Sequence, residues 1–266
     1  MRNSRGGAEV IGIITGTGLY DLELAAAEAH ELTTPHGTAR LTVGKLGDVE
    51  VAHYSRHGSD HTRLSHQLDP RPALAAFAEL KVVSLVSTTV TGAVDPRLAP
   101  GSLIVFDDLY FPSNRLPDGA LCSLFTEPGV PGRGHWIFDG PFSAGVRDAL
   151  VAAAFGDISD GGTYGHVDGP RLNSRPEIAA LASAGVSAVS QTCGPETVLA
   201  GEAEIPFAVL GFITDYANGV TDEPTPPAVL GRLLGESSGA FSRVLAAAAP
   251  ALDAPHAPAG FVYRLG

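Results

Sequence analysis

Residues 53–61, HYSRHGSDH, hold the densest group of ionisable side chains in the chain and directly follow an apolar run. Arg56 supplies a planar guanidinium that suits phosphate oxygens. His57 and His61, at i and i+4, would fit zinc on a helix, but Gly58 disfavours that helix and no glutamate completes a zinc-protease pattern. A solvated loop with incidental histidines is a third interpretation. We favour an anion site.

A glycine turn follows the first apolar run, in IGIITGTG at 11–18. Gly16 and Gly18 allow a tight turn, so that backbone amides and the Thr17 hydroxyl can point at an anion. A dinucleotide-binding fingerprint would need a further glycine at the position of Asp21. A nicotinamide site is therefore disfavoured, and a glycine turn without a ligand stays open as an alternative.

Two hydroxyl-rich segments also lie at predicted strand ends. Residues 87–92, STTVTG, contain Thr89, and 190–196, SQTCGPE, place Thr192 before a predicted helix. Hydroxyls in a row are often solvent-facing, but beside a glycine or a helix N-terminus they also form phosphate cradles. We interpret Cys193 as a packed cysteine, because nothing adjacent would lower its pKa and activate it.

A carboxyl group ends another apolar run, in GFITDYANG at 211–219. Asp215 there is either a turn or helix cap or, if burial raises its pKa, a group that handles a proton. Four strand ends thus carry anion-binding residue types and a fifth carries a carboxyl. Together they indicate a phosphate pocket beside an acid group.

Short β-branched runs alternate with Ala- and Leu-rich stretches of helical length. This alternation predicts an α/β protein whose largely parallel sheet is covered by helices on both faces. In such sheets ligands bind at the ends of strands, which is where the segments above lie. The predicted strands are 10–14, 49–54, 82–88, 102–106, 186–191 and 207–213, and the predicted helices are 72–80, 145–155, 176–184, 195–202 and 227–248.

The length of 266 residues, with 44% hydrophobic and 17% charged residues, fits one folded domain with a sizeable core. We find no internal repeat and expect a single domain over 1–266, with its core at 9–248. Residues 249–266 read as a surface tail, because three prolines fall between 249 and 260.

Charge and cysteine content narrow the choice of partners. A net charge of −12 argues against a broad nucleic-acid or anionic-membrane surface, since both need clustered Lys and Arg. Two cysteines suit a reducing cytoplasm. The first apolar run is too short for a signal peptide, and no run of about 18 apolar residues predicts a membrane span. We expect a cytoplasmic protein that binds neither nucleic acid nor membrane.

Taken in order, the segments resemble the nucleoside phosphorylase family that contains methylthioadenosine phosphorylase and the trimeric purine nucleoside phosphorylases. Each segment alone is weak, but the joint order over about 11–234 is specific. The segments are GTGLYD (16–21), TPHG (34–37), SRHGSDH (55–61), STTVTGAV (87–94), PGSLIVFDDL (100–109), GPRLNSRPE (169–177), QTCGPETVLAGE (191–202) and ITDYANG (213–219).

The resemblance implies phosphorolysis, in which inorganic phosphate attacks the sugar C1′ of a nucleoside and releases a free purine and a sugar 1-phosphate. It implies an α/β fold with a single-domain mixed β-sheet surrounded by helices, assembled as a homotrimer. It implies no metal or organic cofactor, with phosphate as the co-substrate.

The resemblance also assigns roles to residues, with Asp215, Arg56 and His57 as the catalytic group. The matching phosphate-binding positions are Thr17, Arg56, His57, Thr89, the backbone of Val90, and Thr192. The matching nucleoside-binding positions are His61 and, from a neighbouring subunit, His135 at the sugar 5′ group, Gln191 at the ribose, and Leu172, Asn173 and Asp215 at the base.

Departures from the family pattern fall on the nucleoside side. Ala217 replaces a second aspartate, and Gln191 replaces a methionine and must find a partner for its amide. Leu172 and Asn173 replace an aromatic residue and a serine, and the tyrosine, alanine and asparagine usual around Arg71 are also replaced. We expect 5′-methylthioadenosine or a related 5′-substituted adenosine as substrate. The alternatives are a 6-oxopurine nucleoside, a specialised nucleoside of secondary metabolism, or binding without turnover.

Overall fold

The computed structural model describes residues 9–58 and 61–265, and a mixed sheet of eleven strands runs through this part of the chain. Five α-helices, a short 3-10 helix at Ser65–Gln67 and a two-stranded sheet complete it. The strands are β1 Val10–Thr15, β2 Ala25–Thr34, β3 Gly37–Leu46, β4 Val49–Ser55, β5 Ser84–Ala93, β6 Leu103–Val105, β7 Asp108–Tyr110, β8 Gly134–Ile137, β9 Ile158–Asp160, β10 Thr163–His166, β11 Val186–Ser190, β12 Phe207–Tyr216 and β13 Phe261–Arg264. The helices are α1 Arg71–Leu80, α2 Ala144–Ala153, α3 Arg175–Ser183, α4 Cys193–Glu202 and α5 Pro227–Leu252.

Four neighbouring strands of the large sheet are parallel. β1 pairs with β4 on one side and with β5 on the other, and β5 pairs with β12. Parallel strands end at the same edge of a sheet, so the segments that follow β1 and β4 lie beside the late residues of β5 and β12. β11 runs antiparallel to β5 and brings its own end back toward the same place. This edge positions the site described below.

The sheet is mixed, as the family resemblance implied: six of its strand pairs are parallel, as expected, and four are antiparallel. The antiparallel pairs are β2 with β3, β3 with β4, β5 with β11, and β6 with β12. The β2–β3 hairpin escaped prediction because β2, AAAEAHELTT, is rich in alanine, which has a low strand propensity. β2 is held in a strand conformation by its antiparallel pairing with β3.

Helices cover both faces of the sheet, as predicted. Successive residues of a strand point to opposite faces, so Ile13 and Ile14 of β1 enter different cores. Ile14 packs in the core that contains Phe77 of α1, and Ile13 in the core that contains Phe241 and Leu245 of α5. Among the described residues, no helix has the length and apolarity needed to cross a membrane.

The segment predicted as a surface tail from residue 249 is partly built into the fold, so that expectation is wrong there. Ala249 and Leu252 are buried in the last turns of α5. Further on, β13 pairs with β8, and Val262 is buried. Trp136 of β8 lies against Gly201 of α4, where a side chain would collide with the indole. The short sheet therefore packs on α4.

Candidate active site

A cavity of about 360 Å³ opens at the edge where the parallel strands end. Its volume is in the range of sites for small organic ligands. It brings together eleven of the twelve residues expected at the phosphate and nucleoside positions, and His135 is the exception. The eleven are Thr17, Arg56, His57, His61, Thr89, Val90, Leu172, Asn173, Gln191, Thr192 and Asp215.

The glycine turn after β1 forms one wall of the cavity and depends on close approach. A Cβ on Gly16 would lie 2.5 Å from Nη1 of Arg56, so only glycine lets the turn pass the guanidinium. Gly18 has φ +92° and lies against Ser237 of α5. No helix follows the turn, since the chain reaches β2 without one. A dinucleotide-binding arrangement is therefore absent from this segment.

Arg56 follows β4 and forms a buried ion pair with Glu196 in the first turn of α4. Nε of Arg56 donates to Oε1 of Glu196 at 2.8 Å and Nη2 donates to Oε2 at 2.9 Å. Nη2 also donates to Oγ of Ser87, and Nη1 to the carbonyl oxygen of Thr88 at 2.9 Å. Both side chains of the pair are only 3% exposed.

This pairing changes the expected role of Arg56. The two-pronged face of the guanidinium, predicted for phosphate, is occupied by Glu196, so that part of the expectation is wrong. Of the five N–H groups, only one, on Nη1, has no partner among the described residues. Arg56 still lines the cavity, but its charge is balanced by a carboxylate behind it.

His57 and His61 form a stack beside Arg56, with ring centroids 4.3 Å apart and planes inclined by 12°. Nδ1 of His57 lies 2.8 Å from the carbonyl oxygen of Arg63, and Nδ1 of His61 lies 2.9 Å from the hydroxyl of Tyr20. Stacked rings do not converge on one ion, so the zinc interpretation fails for this pair. Ser59 and Asp60 of the same cluster lie outside the described residues.

The start of α4 differs from the predicted anion cradle. The backbone N–H groups of Thr192 and Cys193 donate to the hydroxyl of Tyr164, at 3.3 and 3.1 Å. These two amides are therefore not free for an anion, and of Thr192 the side chain remains for one. Cys193 is fully buried, and burial raises the pKa of its thiol to about 11, as a packed cysteine requires.

The hydroxyls of the β5 segment face the interior, not solvent. Ser87, Thr88, Thr89 and Thr91 are all buried. Oγ1 of Thr89 is 3.1 Å from Oγ of Ser190, which ties β5 to the end of β11. The later part of the segment, residues 89–92, lines the cavity.

Asp215 lies near the end of β12 and pairs with Gly92 of β5, four residues beyond Thr88, whose carbonyl oxygen accepts from Arg56. Its Oδ1 accepts a hydrogen bond from Oγ1 of Thr214 at 2.7 Å. Burial raises the pKa of the Asp215 carboxyl, and the Thr214 hydrogen bond opposes part of that shift. The Asp215 carboxyl therefore keeps a proton to higher pH than an exposed aspartate does.

Two other residues lie close to Asp215 in the sequence. Nδ2 of Asn218 donates to the backbone oxygen of Asn173 at 2.7 Å, and Ala217 is buried.

Gln191 finds partners for its amide, which the sequence required. Its Oε1 accepts from Oγ of Ser65 at 2.7 Å, and its Nε2 donates to the backbone oxygen of Arg171 at 3.1 Å. Gly169 packs against both Gln191 and Ser65, and a Cβ there would overlap them. Gln191 therefore links the segments before α1 and before α3.

Two predicted nucleoside residues stand apart from the rest. Leu172 lines the cavity but is 73% exposed, so it lies at the rim. His135 lies in β8, away from the cavity of its own chain.

Several residues of the site carry no sequence motif of their own. Leu230 and Leu234 of α5 add an apolar wall, and Ser65 a polar contact. Glu196 and Tyr164 act from behind the wall, through Arg56 and Thr192. The i, i+4 spacing of the two leucines is the one signal that was available, and it is the same as for any buried helix face.

No group of three or more His, Cys, Asp or Glu side chains suited to a metal ion occurs in the described ranges, 9–58 and 61–265. The ionisable groups that line the cavity are one guanidinium, two imidazoles and one carboxyl, and several hydroxyls lie beside them. This set is suited to an oxyanion and a proton transfer.

A family model described as the phosphorylase superfamily matches residues 10–250, and the chain belongs to that superfamily. It is similar to 6-oxopurine nucleoside phosphorylase of Pyrococcus furiosus, with 29% identity over 90% of this chain and 92% of the relative. It is also similar to S-methyl-5′-thioadenosine phosphorylase of Mycolicibacterium smegmatis, with 34% identity over 79% of this chain and 78% of the relative.

A solved structure has the same fold. Methylthioadenosine phosphorylase from Schistosoma mansoni, in complex with adenine, superimposes with a TM-score of 0.81 over 91% of each chain, and the identity of 23% restricts this likeness to the fold. With the relatives above, the family makes this protein an enzyme, a pentosyltransferase of the purine nucleoside phosphorylase type.

Tyr164→Phe should lower the free energy of unfolding by about 1–3 kcal/mol, because it leaves the buried amide of Cys193 and the partly buried amide of Thr192 without this acceptor. Urea denaturation of both proteins measures this. Tyr110→Phe is the control, since the Tyr110 hydroxyl forms no hydrogen bond with the described residues. Equal losses in the two variants would show that the Tyr164 hydroxyl does not hold the start of α4.

Proposed function

We propose that this enzyme cleaves the N-glycosidic bond of a purine nucleoside with inorganic phosphate, giving the free base and a sugar 1-phosphate. The observation that supports it is the single cavity that joins Thr17, Thr89 and Thr192 to Arg56 at one end and to Asp215 at the other. Phosphate binds among the hydroxyls with His57, and the base binds near Asp215. The ribose lies between them, against Gln191.

The chemistry follows from where charge develops. As the C1′–N9 bond lengthens, positive charge grows on the sugar and negative charge on the base. Phosphate on one side stabilises the sugar cation electrostatically. Burial raises the pKa of the Asp215 carboxyl, which suits it to donate a proton toward N7 of the departing base.

A 6-aminopurine is the preferred base. A protonated Asp215 donates from its hydroxyl to N7, while its carbonyl oxygen accepts from the exocyclic amine. A 6-oxopurine would instead place its oxygen against that carbonyl oxygen, leaving two acceptors facing each other. The similarity to the S-methyl-5′-thioadenosine phosphorylase of M. smegmatis agrees with this preference.

The sugar 5′ group lies toward α5 and His61. Leu230 and Leu234 form the apolar wall of this region and favour a 5′-methylthio group over a 5′-hydroxyl. 5′-Methylthioadenosine is therefore the proposed substrate. A 6-oxopurine nucleoside is the second candidate, supported by the similarity to the enzyme of P. furiosus.

A homotrimer would bring His135 of a neighbouring copy to the 5′ end of the cavity. The face of the β8–β13 sheet that carries His135 also carries Ile137, Phe261 and Tyr263, which are exposed hydrophobic side chains. Burial of this face against a second copy would cover them. Sedimentation of the protein tests the homotrimer. The KM of His135→Ala for methylthioadenosine, with sedimentation of the same variant, tests the role of His135 at the 5′ end of the cavity.

A nucleoside panel tests the activity. Methylthioadenosine, adenosine and inosine are incubated with and without phosphate, and free bases are separated by chromatography. We expect adenine from methylthioadenosine, and only with phosphate. Binding without any free base would favour a nucleoside-binding protein. Hypoxanthine from inosine, with no adenine from the other two, would refute the assignment of Asp215.

A further inference from the structure

The hydrogen bond of His57 to the backbone fixes where its ring proton lies. Nδ1 of His57 is 2.8 Å from the carbonyl oxygen of Arg63, and a carbonyl oxygen only accepts. Nδ1 must therefore carry a proton. In a neutral ring, the other nitrogen, Nε2, then has a lone pair and no proton.

The surroundings of His57 keep its ring neutral. Burial and the nearby Arg56 guanidinium lower the pKa of His57 to about 4, and the other neighbouring groups that carry or can carry charge are His61 and Arg63. Protonation of His57 would add a positive charge beside that of Arg56, on a ring stacked 4.3 Å from the ring of His61, and is therefore unfavourable. At neutral pH, Nε2 is an acceptor.

Nε2 is the ring nitrogen of His57 that is left for a ligand. The hydrogen bond of Nδ1 turns the opposite edge of the ring toward the glycine turn, where Cδ2 is 3.3 Å from a Cβ built on Gly16. His57 lines the cavity, and its Nε2 has no hydrogen-bond partner within ranges 9–58 and 61–265. A hydroxyl such as that of Thr17 can rotate to donate or to accept, but this imidazole cannot without losing Arg63.

We propose that His57 accepts a hydrogen bond from the O–H of a protonated oxyanion, and that this contact makes the site select phosphate and arsenate over sulfate. The inference rests on the proposed function and deepens it. At neutral pH, hydrogenphosphate carries at least one O–H, whereas sulfate carries none. Sulfate would set an oxygen lone pair against the lone pair of Nε2, in a site whose cation is already paired with Glu196.

Competition kinetics test the selection. The KM for phosphate is measured with the accepted nucleoside, and sulfate and fluorophosphate, which also lacks an O–H at neutral pH, are added as inhibitors. We expect arsenate to replace phosphate, and both unprotonated anions to bind at least about tenfold more weakly than phosphate, the factor that corresponds to 1.4 kcal/mol. Sulfate that competes as strongly as phosphate overturns the inference. Absence of any phosphate-dependent base release instead refutes the proposed function.

A substitution separates His57 from the rest of the pocket. His57→Gln offers an amide that can donate as well as accept, so the preference for phosphate over sulfate should shrink to within about threefold. His66→Gln makes the same change at an exposed histidine and should keep the preference of the parent protein. An unchanged preference in His57→Gln overturns the inference.

The ring proton itself can be observed without turnover. In ¹⁵N-labelled protein at neutral pH, the two ring nitrogens of His57 have different chemical shifts in the two neutral forms. We expect the form protonated at Nδ1, and His57→Gln identifies the signal by its loss. A ring protonated at Nε2, or at both nitrogens, overturns the inference even if the enzyme proves to be a phosphorylase.

Discussion

Arg56→Met is expected to reduce phosphate-dependent base release by at least about 10²- to 10³-fold, the loss typical when a preorganised electrostatic contact is removed. The same change should lower the free energy of unfolding by about 3–5 kcal/mol. The reason is that Glu196, 3% exposed, would remain as an unpaired buried carboxylate. Urea denaturation and the base-release assay measure the two effects.

A double variant separates folding from catalysis. Arg56→Met with Glu196→Met removes both charges, and a buried ion pair replaced by apolar side chains of similar volume often loses little stability. We expect the double variant to recover most of the stability and none of the activity. Recovery of base release in the double variant would show that Arg56 serves the fold alone.

Asp215→Asn is expected to slow release of adenine by about 10²- to 10⁴-fold, the usual contribution of general acid–base catalysis. An amide has no acidic proton for N7, but its N–H can donate to the oxygen of a 6-oxopurine. The ratio of kcat/KM for inosine to that for methylthioadenosine should therefore rise. Equal losses on both substrates would contradict the proposed contact with the base.

The raised pKa of Asp215 also predicts how pH acts on the protein. The folded state holds this proton to higher pH than the unfolded state does, so stability falls as pH rises from the ordinary aspartate range to the raised pKa. Asp215→Asn should thus be more stable than the parent protein above that window and no more stable below it. Thermal denaturation across pH measures this. A constant difference at all pH values would contradict a proton held by burial.

The sheet explains why residues from distant motifs line one cavity. Thr17, Arg56, Thr89 and Asp215 each follow or end a short apolar run that becomes a strand. Once those strands are parallel neighbours, their ends must meet at one edge. Residue types at strand ends were therefore enough to predict that they converge.

What the sequence could not show are contacts between distant segments. Glu196 is 140 positions from Arg56, and nothing in either motif indicates that the two would pair. Tyr164, in the short strand β10, belongs to none of the motifs. Its hydroxyl accepts hydrogen bonds from the backbone amides at the start of α4. Leu230 and Leu234 depend on how α5 packs across the sheet. Such roles follow from tertiary packing, which local patterns do not specify.

The fate of phosphate is the most direct test of the whole account. ³¹P NMR of the protein with methylthioadenosine and inorganic phosphate follows that signal in real time. The account predicts a growing resonance of a sugar 1-phosphate, in step with the release of adenine. Adenine released while the phosphate signal stays constant would mean that water attacks the sugar, and it would contradict phosphorolysis.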